Sequence, residues 1–306
     1  MQRKMRVLVT GGAGFIGSNV VKMLEAKGVE TVILDDFSHA SYKNLLKVNG
    51  EIICGDILDE GIYAKLPKID AVIHEAAITD TTLADDTKMM MVNYQGFKNV
   101  AAFCLNKKIR LVYASSAGVY GNGTAAMKED AEIIPHNTYG YSKYQCDCLM
   151  KKITKKSSTP IIVGLRYFNV YGPGEYHKGL SASMTYQLFL QMKEGKQPRI
   201  FKFGEQKRDF IYVKDVARIT IEALNSKKSS VINLGTGTPR SFNDIVSGLN
   251  KTMGLDLKPE YFDNPYSGKY QDYTEADTAL LKEVLGTQAQ ITLEAGIEDY
   301  LKGHLL

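Results

Sequence analysis

Tyr139 and Lys143 form the pattern in this sequence whose residue types and spacing are best suited to proton transfer. Positions i and i+4 of a helix share one face, so the Lys143 ammonium would lie near the Tyr139 phenol and favour its ionised form. A tyrosine made more acidic in this way can act as a general base near neutral pH. Ser116 ends a predicted strand, and its hydroxyl could bond the substrate oxygen that loses or gains the proton. The sequence therefore predicts three catalytic residues that handle the proton of a hydroxyl group.

A tyrosine and a lysine at this spacing also occur as an ordinary surface pair on a helix, and in an arbitrary sequence that interpretation would be preferred. Here the pair follows the run Thr10-Gly11-Gly12-Ala13-Gly14-Phe15-Ile16-Gly17. The run lies between a predicted strand at 5–10 and a predicted helix at 15–27. This context favours a redox site that uses a bound dinucleotide.

Each glycine of the run has a predicted role. Gly11 permits a tight turn, Gly14 lets a pyrophosphate approach the backbone, and Gly17 allows the helix to pack closely on the strand. The N–H groups at the helix start, at Phe15, Ile16 and Gly17, would face the phosphates, which the helix dipole also attracts. The alternative is a glycine-rich turn without a ligand.

Asp35 ends a second predicted strand at 31–35, about 20 residues beyond the glycines, where a carboxylate accepts hydrogen bonds from the ribose hydroxyls of the adenosine. Asp36 adds a second negative charge that would repel a 2′-phosphate. The pair therefore predicts NAD as the cofactor, while Lys43 and Lys47 leave NADP open. The alternative is that Asp35 only caps a turn.

Further cofactor contacts are expected where other strands end, because the carboxyl ends of parallel strands meet at one crevice. Asp56 and Ile57 follow the predicted strand 51–54, and Ala76 and Ala77 follow the strand 70–74. Asn93, on the predicted helix 88–107, is assigned to the same site.

Strand and helix patterns alternate along the first half of the chain, which predicts an α/β fold with a Rossmann-type doubly wound parallel sheet. Further strands are expected at 110–115 and 160–165, and a helix at 141–156. The second half predicts helices at about 182–195, 213–225 and 241–253, with strands near 210–213 and 231–234. We expect residues 1–170 to form a dinucleotide-binding domain, to which part of 205–236 can also belong. Residues 171–306 are expected to form mainly a smaller α/β substrate-binding lobe.

The composition excludes several other classes of protein. A net charge of +4 without a long basic block gives no sign of a nucleic-acid or membrane partner. The four cysteines are too few and too irregularly spaced for a disulfide scaffold, and no metal site is predicted. Neither a signal peptide nor an 18-residue apolar run is present, so we expect a cytoplasmic protein. We also expect it to form a homo-oligomer.

Several motifs resemble the extended short-chain dehydrogenase/reductase superfamily, whose members are mostly nucleotide-sugar epimerases, dehydratases and reductases. The resemblance covers nearly the whole chain and is carried by the glycine run, the Tyr-x-x-x-Lys pattern and the segments 166–173, 208–216 and 233–237. It implies a nucleotide-sugar substrate.

A narrower resemblance is to the ADP-L-glycero-D-manno-heptose 6-epimerase family, which interconverts two ADP-heptoses that differ at C6″, for the lipopolysaccharide inner core. It is carried by 176–179, by 268–271 and by 274–277. The resemblance implies two opposed acid/base groups, Tyr139 and Lys178. It also implies substrate contacts from Asn169, Arg208 and Tyr270.

Two bases suit the expected chemistry. The carbinol carbon is oxidised by hydride transfer to the nicotinamide while one base takes the hydroxyl proton. The resulting carbonyl turns its other face to the reduced cofactor, and a second group returns the proton if the oxygen then lies elsewhere. Lys178 could be that donor, or only a lysine that binds a phosphate or carbonyl. Arg208 would pair with the diphosphate, or alternatively with Asp209 or Asp215.

The chain also departs from the heptose epimerase pattern. Leu180 stands where a small polar residue is expected, Gln187 where a histidine is expected, and the segment after Asp36 lacks the lysine placement that accompanies NADP. The alternative function is therefore a 4-epimerase acting on a UDP- or GDP-sugar with a single tyrosine. A 4,6-dehydratase would need an acid pair beside Ser116, which is absent. A non-catalytic dinucleotide-binding regulator is disfavoured by the intact Ser116, Tyr139 and Lys143.

Overall fold

A computed structural model of the protein describes residues 4–81, 83–123, 125–156, 158–264 and 272–306. Its strands are β1 (Arg6–Thr10), β2 (Glu30–Asp35), β3 (Glu51–Cys54), β4 (Ala71–His74), β5 (Arg110–Ser116), β6 (Ile162–Tyr167), β7 (Asn169–Tyr171), β8 (Arg199–Phe201), β9 (Lys207–Arg208), β10 (Phe210–Tyr212), β11 (Ser230–Leu234), β12 (Arg240–Ser241) and β13 (Glu260–Phe262). Its α-helices are α1 (Phe15–Ala26), α2 (Ile62–Lys65), α3 (Asp86–Met90), α4 (Gly96–Lys107), α5 (Thr138–Ile153), α6 (Met184–Lys193), α7 (Val213–Ala223), α8 (Phe242–Met253), α9 (Ala279–Leu285) and α10 (Leu293–Tyr300).

The central sheet contains seven parallel strands in the order β11-β6-β5-β4-β1-β2-β3. The strand order reverses between β1 and β4, and a crevice for a ligand lies at such a point, outside the carboxyl ends of the strands. Thr10, the last residue of β1, is in register with Leu34 of β2 and His74 of β4. The predicted doubly wound parallel sheet is therefore confirmed.

Helices cover both faces of this sheet, because successive side chains of a strand point to opposite faces. Val7 and Val9 of β1 belong to one apolar cluster with α1 and α7. Leu8, between them, belongs to a second cluster with α4 and α5. Strands buried on both faces explain the nearly continuous apolar runs in the sequence.

A third apolar cluster joins α6, α8 and α10 in the second half of the chain, with Phe189, Ile245 and Ile297 among its buried residues. Short strand pairs accompany it: β7 with β10, β9 with β12, and β8 with β13. β11 lies beyond residue 170 yet pairs with β6, so part of the segment 205–236 joins the central sheet. The division of the chain into two domains stays a prediction.

Most predicted elements are present, and the differences lie at their ends. The helix predicted at 141–156 is α5, which begins at Thr138 because Asn137 caps it through a hydrogen bond from Gly140 N of 2.9 Å. The helix predicted at 88–107 begins at Asp86 and contains a π-helical turn, Met91–Gln95, between α3 and α4. None of the helices in the described part of the chain has the length and apolar content needed to span a lipid bilayer.

Candidate active site

The glycine-rich turn, residues 10–17, connects β1 to α1 at the crevice. Gly11 has a φ of +67°, and a Cβ on it would lie 2.5 Å from the backbone N of Ala76. A Cβ on Gly17 would lie 2.2 Å from the carbonyl oxygen of Gly11. Only glycine fits at these two positions, so the turn packs directly on the chain after β4. The close contact expected of Gly17 is thus made with the turn itself, not with the strand.

The start of α1 is a suitable anion site. Among the described residues no side chain caps this helix, and its first backbone hydrogen bond runs from Ser18 N to the Gly14 carbonyl, 3.1 Å away. The N–H groups of Phe15, Ile16 and Gly17 precede that bond and so have no acceptor within the helix. Donors of this kind beside an open glycine backbone fit the pyrophosphate of a dinucleotide.

Asp35 lies at the end of β2, 7 % exposed, and faces the glycine-rich turn. Its two carboxylate oxygens accept hydrogen bonds of 2.9 Å from Ala13 N and from Phe37 N. Burial raises the pKa of this carboxyl, which the two backbone donors partly offset. Asp35 therefore does cap the turn. Each oxygen has a further lone pair available to a ribose hydroxyl.

The other predicted cofactor residues differ in exposure. Asp36 and Asp56 are exposed, and each accepts a backbone N–H two residues ahead, from Ser38 and Leu58. The side chain of Ile57 is buried in the apolar cluster with α4, so any cofactor contact at this position would come from its main chain.

Asn93 lies in the π-helical turn and holds the chain that follows β4. Its amide accepts from Ile78 N at 2.8 Å and donates to the Ile78 carbonyl at 3.0 Å. The same amide nitrogen lies 3.1 Å from Ser142 Oγ on α5. Asn93 thus joins the loop of Ala76 and Ala77 to the helix that carries the tyrosine and the lysine.

Ser116, Tyr139 and Lys143 lie together at the carboxyl end of β5. Lys143 is 3 % exposed, and its Nζ donates to the Ala114 carbonyl at 2.9 Å and lies 6.0 Å from the centre of the Tyr139 ring. Ser116 Oγ accepts from Gly118 N at 3.0 Å. A Cβ on Gly118 would lie 3.3 Å from that oxygen and 3.7 Å from Tyr139 Cε1, so the serine and the tyrosine face each other across Gly118.

Lys178 lies on a 3₁₀ turn, Tyr176–Ser181, in the chain that follows β7. Its Nζ is 5.6 Å from the centre of the Phe15 ring, at the start of α1. Burial lowers the pKa of the Lys178 ammonium, and the neighbouring Glu175 acts in the opposite direction. A lysine in such surroundings reaches its neutral form at lower pH than an exposed lysine.

Of the predicted substrate residues, Asn169 is exposed and accepts from Thr274 Oγ1 at 3.2 Å, while Arg208 is 4 % exposed. Asp209 accepts from Thr236 N, Gly237 N and Ala276 N, at 2.7, 2.8 and 3.0 Å. The carboxylate of Asp209 is thus engaged by backbone donors. Tyr270 and the segment 265–271 around it lie outside the described residues.

Asp215, the other alternative partner of Arg208, forms an ion pair of 2.6 Å with Arg218 on α7. Arg208 Nη1 donates to the Lys207 carbonyl at 3.0 Å, and its pairing with a diphosphate stays a prediction.

Several residues that hold this site together are not predicted from the sequence. Asp147 of α5 and Arg166 of β6 form a buried ion pair. Asn19, Asn44 and Glu175 hold the chain around Lys178. Asp147 could have been found, because it continues the four-residue spacing of Tyr139 and Lys143 along one helix face. The other four have partners that the local sequence does not indicate.

A parallel sheet with a glycine-rich first turn and a serine–tyrosine–lysine group at the end of β5 defines a class of protein, the dinucleotide-dependent enzymes that act on a hydroxyl-bearing carbon. The chain belongs to the NAD dependent epimerase/dehydratase family, whose sequence profile matches residues 7–235.

Individual relatives agree with this assignment. The chain is 39 % identical over 310 aligned positions to ADP-L-glycero-D-manno-heptose-6-epimerase of Brachyspira hyodysenteriae, with 96 % of each chain covered. The crystal structure of the Helicobacter pylori ADP-L-glycero-D-manno-heptose-6-epimerase superposes with a TM-score of 0.93 at 38 % identity, covering 99 % of this chain and 97 % of that one. A UDP-glucuronic acid 4-epimerase variant from Bacillus cereus, solved with a UDP-sugar and NAD, gives a TM-score of 0.86 at 31 % identity and covers 98 % and 99 %. The chain is therefore an NAD-dependent epimerase-family enzyme.

Proposed function

We propose that this enzyme interconverts two ADP-linked glycero-manno-heptoses at C6″ by transient oxidation, with Tyr139 and Lys178 as two opposed acid/base groups. The observation that carries the proposal is that these groups approach the crevice from different sides. Tyr139 lies beside Ser116 at the end of β5, and Lys178 lies over Phe15, which follows β1. β4 separates β1 from β5 in the sheet, so these strands are about 10 Å apart.

On the β5 side, Tyr139 takes the proton of the substrate hydroxyl while Ser116 Oγ holds the same oxygen by a hydrogen bond. Lys143 supplies positive charge beside the Tyr139 ring and hydrogen bonds the ribose of the nicotinamide nucleoside. When bound, NAD supplies a nicotinamide ring that accepts a hydride from the carbinol carbon and returns it.

After oxidation the substrate carbonyl has two faces, and Lys178 protonates the oxygen when it lies on the β1 side. The lowered pKa of Lys178 supports this role, because a lysine that loses its proton more readily can both give and take one near neutral pH. Arg208 pairs with the diphosphate and Asn169 contacts the sugar, and Tyr270 is proposed as a third substrate contact.

We propose NAD as the cofactor in preference to NADP. The support is the pair of carboxylates, Asp35 and Asp36, where a 2′-phosphate would lie, and the absence of an arginine between residues 36 and 50. The proposal also includes a homo-oligomeric state, which sedimentation velocity would test.

A 4-epimerase acting on a UDP- or GDP-sugar is the second candidate, and one observation favours it. Leu180 is 93 % exposed, and the Gln187 amide donates to the backbone carbonyls of Leu180 and Ala182, at 3.0 and 2.7 Å. Gln187 thus uses both amide hydrogens on the loop, at a position where the heptose epimerase resemblance implies a histidine, and Leu180 stands where that resemblance implies a small polar sugar contact.

The deciding experiment is incubation of the enzyme with ADP-heptose, UDP-glucose and GDP-mannose, followed by identification of the products by NMR. We expect an equilibrium mixture of two ADP-heptoses that differ at C6″ and no change in the other sugars. Inversion at C4″ of the UDP- or GDP-sugar, with the heptose unchanged, would establish the second candidate instead.

A further inference from the structure

The Lys178 loop, residues 172–183, connects β7 to α6 and has little apolar support of its own. None of the residues of its 3₁₀ turn, Tyr176–Ser181, is buried. Within that turn Gly179 leaves the helical conformation, with a φ of 55°. A lysine on such a segment is held by polar contacts or is free to move, and movement of about 1 Å at a reacting group can cost about 100-fold in rate.

Glu175 supplies polar contacts at both ends of this loop. Its side chain is fully buried, and its Oε1 accepts from Gly172 N at 3.0 Å and from Ser183 Oγ at 2.9 Å. Its Oε2 accepts from Ser183 N at 2.5 Å. One carboxylate therefore joins the first residue of the loop to the last, and encloses the turn that carries Lys178.

Ser183 connects this arrangement to a rigid element. It is the N-cap of α6, where its Oγ also accepts from Tyr186 N at 3.3 Å. Leu188, Phe189 and Met192 of α6 are buried in the third apolar cluster. The Glu175 carboxylate thus holds the loop to a helix that is itself fixed by packing.

Two asparagines hold the other side of the loop to the cofactor site. Asn19 Nδ2 donates to the Pro173 carbonyl at 2.8 Å, and to the Phe15 carbonyl at 2.9 Å. Asn44 Nδ2 donates to the Gly174 carbonyl at 3.0 Å, and to the Ala13 carbonyl at 3.1 Å. These contacts fix the beginning of the loop against the glycine-rich turn. Glu175 then holds the end of the loop, Ser183, close to its beginning.

We propose that Glu175 is the positioning residue for the second acid/base group, and that its carboxylate holds Lys178 over the glycine-rich turn without contacting substrate or cofactor. The inference rests on the proposed function of Lys178. A carboxylate suits the task because it offers acceptors only, to Gly172 N at one end of the loop and to Ser183 N and Oγ at the other. A glutamine would direct its own N–H groups at one of those donors.

The test measures which face of the carbonyl each variant can reduce. Enzyme loaded with reduced cofactor that carries deuterium at the nicotinamide C4 is given an ADP-sugar whose C6″ is an aldehyde, and NMR reads the configuration of the deuterated alcohol. We expect label on both faces in the wild type and on one face in Lys178→Met. In Glu175→Gln the rate on the face that Lys178→Met can no longer label should fall about 10- to 100-fold, while the rate on the other face should change by less than about twofold.

Three results would count against the proposal in different ways. Equal loss on both faces in Glu175→Gln, or no loss on either, would overturn the role of Glu175 alone. Label on both faces in Lys178→Met would remove the second acid/base group, and with it both the proposed function and this inference. Glu175→Asp, which keeps a carboxylate one methylene shorter, should fall between the wild type and Glu175→Gln, and serves as the test variant if Glu175→Gln does not fold.

Amide hydrogen exchange of the protein without substrate or added cofactor gives an independent measurement. Residues 176–183 should exchange faster in Glu175→Gln than in the wild type and at the wild-type rate in Lys178→Met, with the central sheet unchanged in both. Unchanged exchange in this segment of Glu175→Gln would show that the carboxylate does not hold the loop.

Discussion

The two proposed acid/base groups, Tyr139 and Lys178, are carried by regions of opposite character. Tyr139 and Lys143 lie on α5, one face of which is buried against β5 and β6. Lys178 is half-buried and lies on a turn whose residues are all half-buried or exposed. The first region is positioned by packing, and the second is positioned by hydrogen bonds to a few side chains. The same kind of chemistry is therefore supported in two ways within one site.

A buried ion pair holds the α5 region to the sheet. Asp147, one turn beyond Lys143, accepts from Arg166 Nε at 2.9 Å and from Tyr113 on β5 at 2.8 Å. The side chains of the pair are 0 % and 1 % exposed. Burial raises the pKa of Tyr113 well above its ordinary value, so this phenol remains a donor. The α5 region is thus held to β5 and β6 by buried polar contacts.

The environments of the two lysines differ accordingly. Lys143 is buried but its Nζ has a backbone carbonyl as partner, which suits a fixed positive charge. Lys178 faces an aromatic ring, and burial lowers its pKa. The lysine proposed to remain charged and the lysine proposed to exchange a proton thus have different partners in this site.

The largest effect expected is that of Tyr139→Phe. The ring remains while the oxygen that transfers the proton is lost, so turnover should fall about 10²- to 10⁴-fold with little change in cofactor binding. Steady-state kinetics and a cofactor titration measure the two quantities. Tyr141→Phe is the matched control, because Tyr141 lies on the same helix and is 46 % exposed. Near-normal turnover of Tyr139→Phe would mean that another group is the base on the β5 side.

Lys178→Met tests the loop region. Epimerisation should fall by a similar factor of about 10²- to 10⁴-fold, because one proton transfer loses its donor. Oxidation and reduction on the Tyr139 side should continue, and no solvent deuterium should enter C6″, since the hydride stays on the cofactor. Lys196→Met, at a lysine whose side chain is 68 % exposed, is the control. A higher KM with an almost unchanged kcat would instead identify Lys178 as a binding residue and favour the 4-epimerase.

Asp147→Asn tests whether the buried ion pair holds the α5 region to the sheet. Removing one charge of a buried pair leaves the Arg166 guanidinium without its counter-charge, and we expect the free energy of unfolding to fall by about 3 kcal/mol or more. Urea denaturation measures the change. The control is Glu194→Gln, which breaks an exposed pair with Lys196 and should cost at most about 1 kcal/mol. Equal changes in both variants would show that the buried pair does not stabilise the fold.

The sequence predicted the parts of the fold that repeat a local pattern. The strands of the sheet are buried on both faces and therefore appear as short apolar runs, and the glycine spacing indicates the turn between β1 and α1. The π-helical turn Met91–Gln95 was not predicted, because apolar periodicity does not distinguish it from an ordinary helix turn. The start of α5 was placed three residues too late, although Asn137 is a favourable capping residue.

The parts of the candidate site that could not be predicted depend on contacts distant in sequence. Asn44 donates to the Gly174 carbonyl, 130 positions away, and no local pattern indicates such a partner. Glu175 was passed over because an acidic residue in a loop is usually solvated, whereas here it is fully buried. The pairing of Arg208 with the diphosphate stays a prediction, because no local pattern in the sequence separates it from a pairing with Asp209 or Asp215.

The smallest effect that we expect concerns the cofactor, on the side of the crevice that both acid/base regions share. The wild-type protein, once denatured, should release NAD, because an epimerase regenerates its oxidised cofactor in each turnover and need not release it.

Asp35→Asn removes a charged acceptor of the ribose hydroxyls and should weaken NAD binding about 10- to 100-fold, as expected for hydrogen bonds to a charged group worth about 1.5–3 kcal/mol. Binding of NADP should suffer less, since the variant also repels a 2′-phosphate less. Asp36→Asn is the matched control: its carboxylate accepts from Ser38, so NAD binding should be almost unchanged while NADP binding improves slightly. Calorimetric titration of the cofactor-free wild type and both variants with each dinucleotide measures all six affinities. Release of NADP alone from the wild type, or tighter NADP than NAD binding, would overturn the cofactor assignment while leaving the fold and the acid/base regions as described.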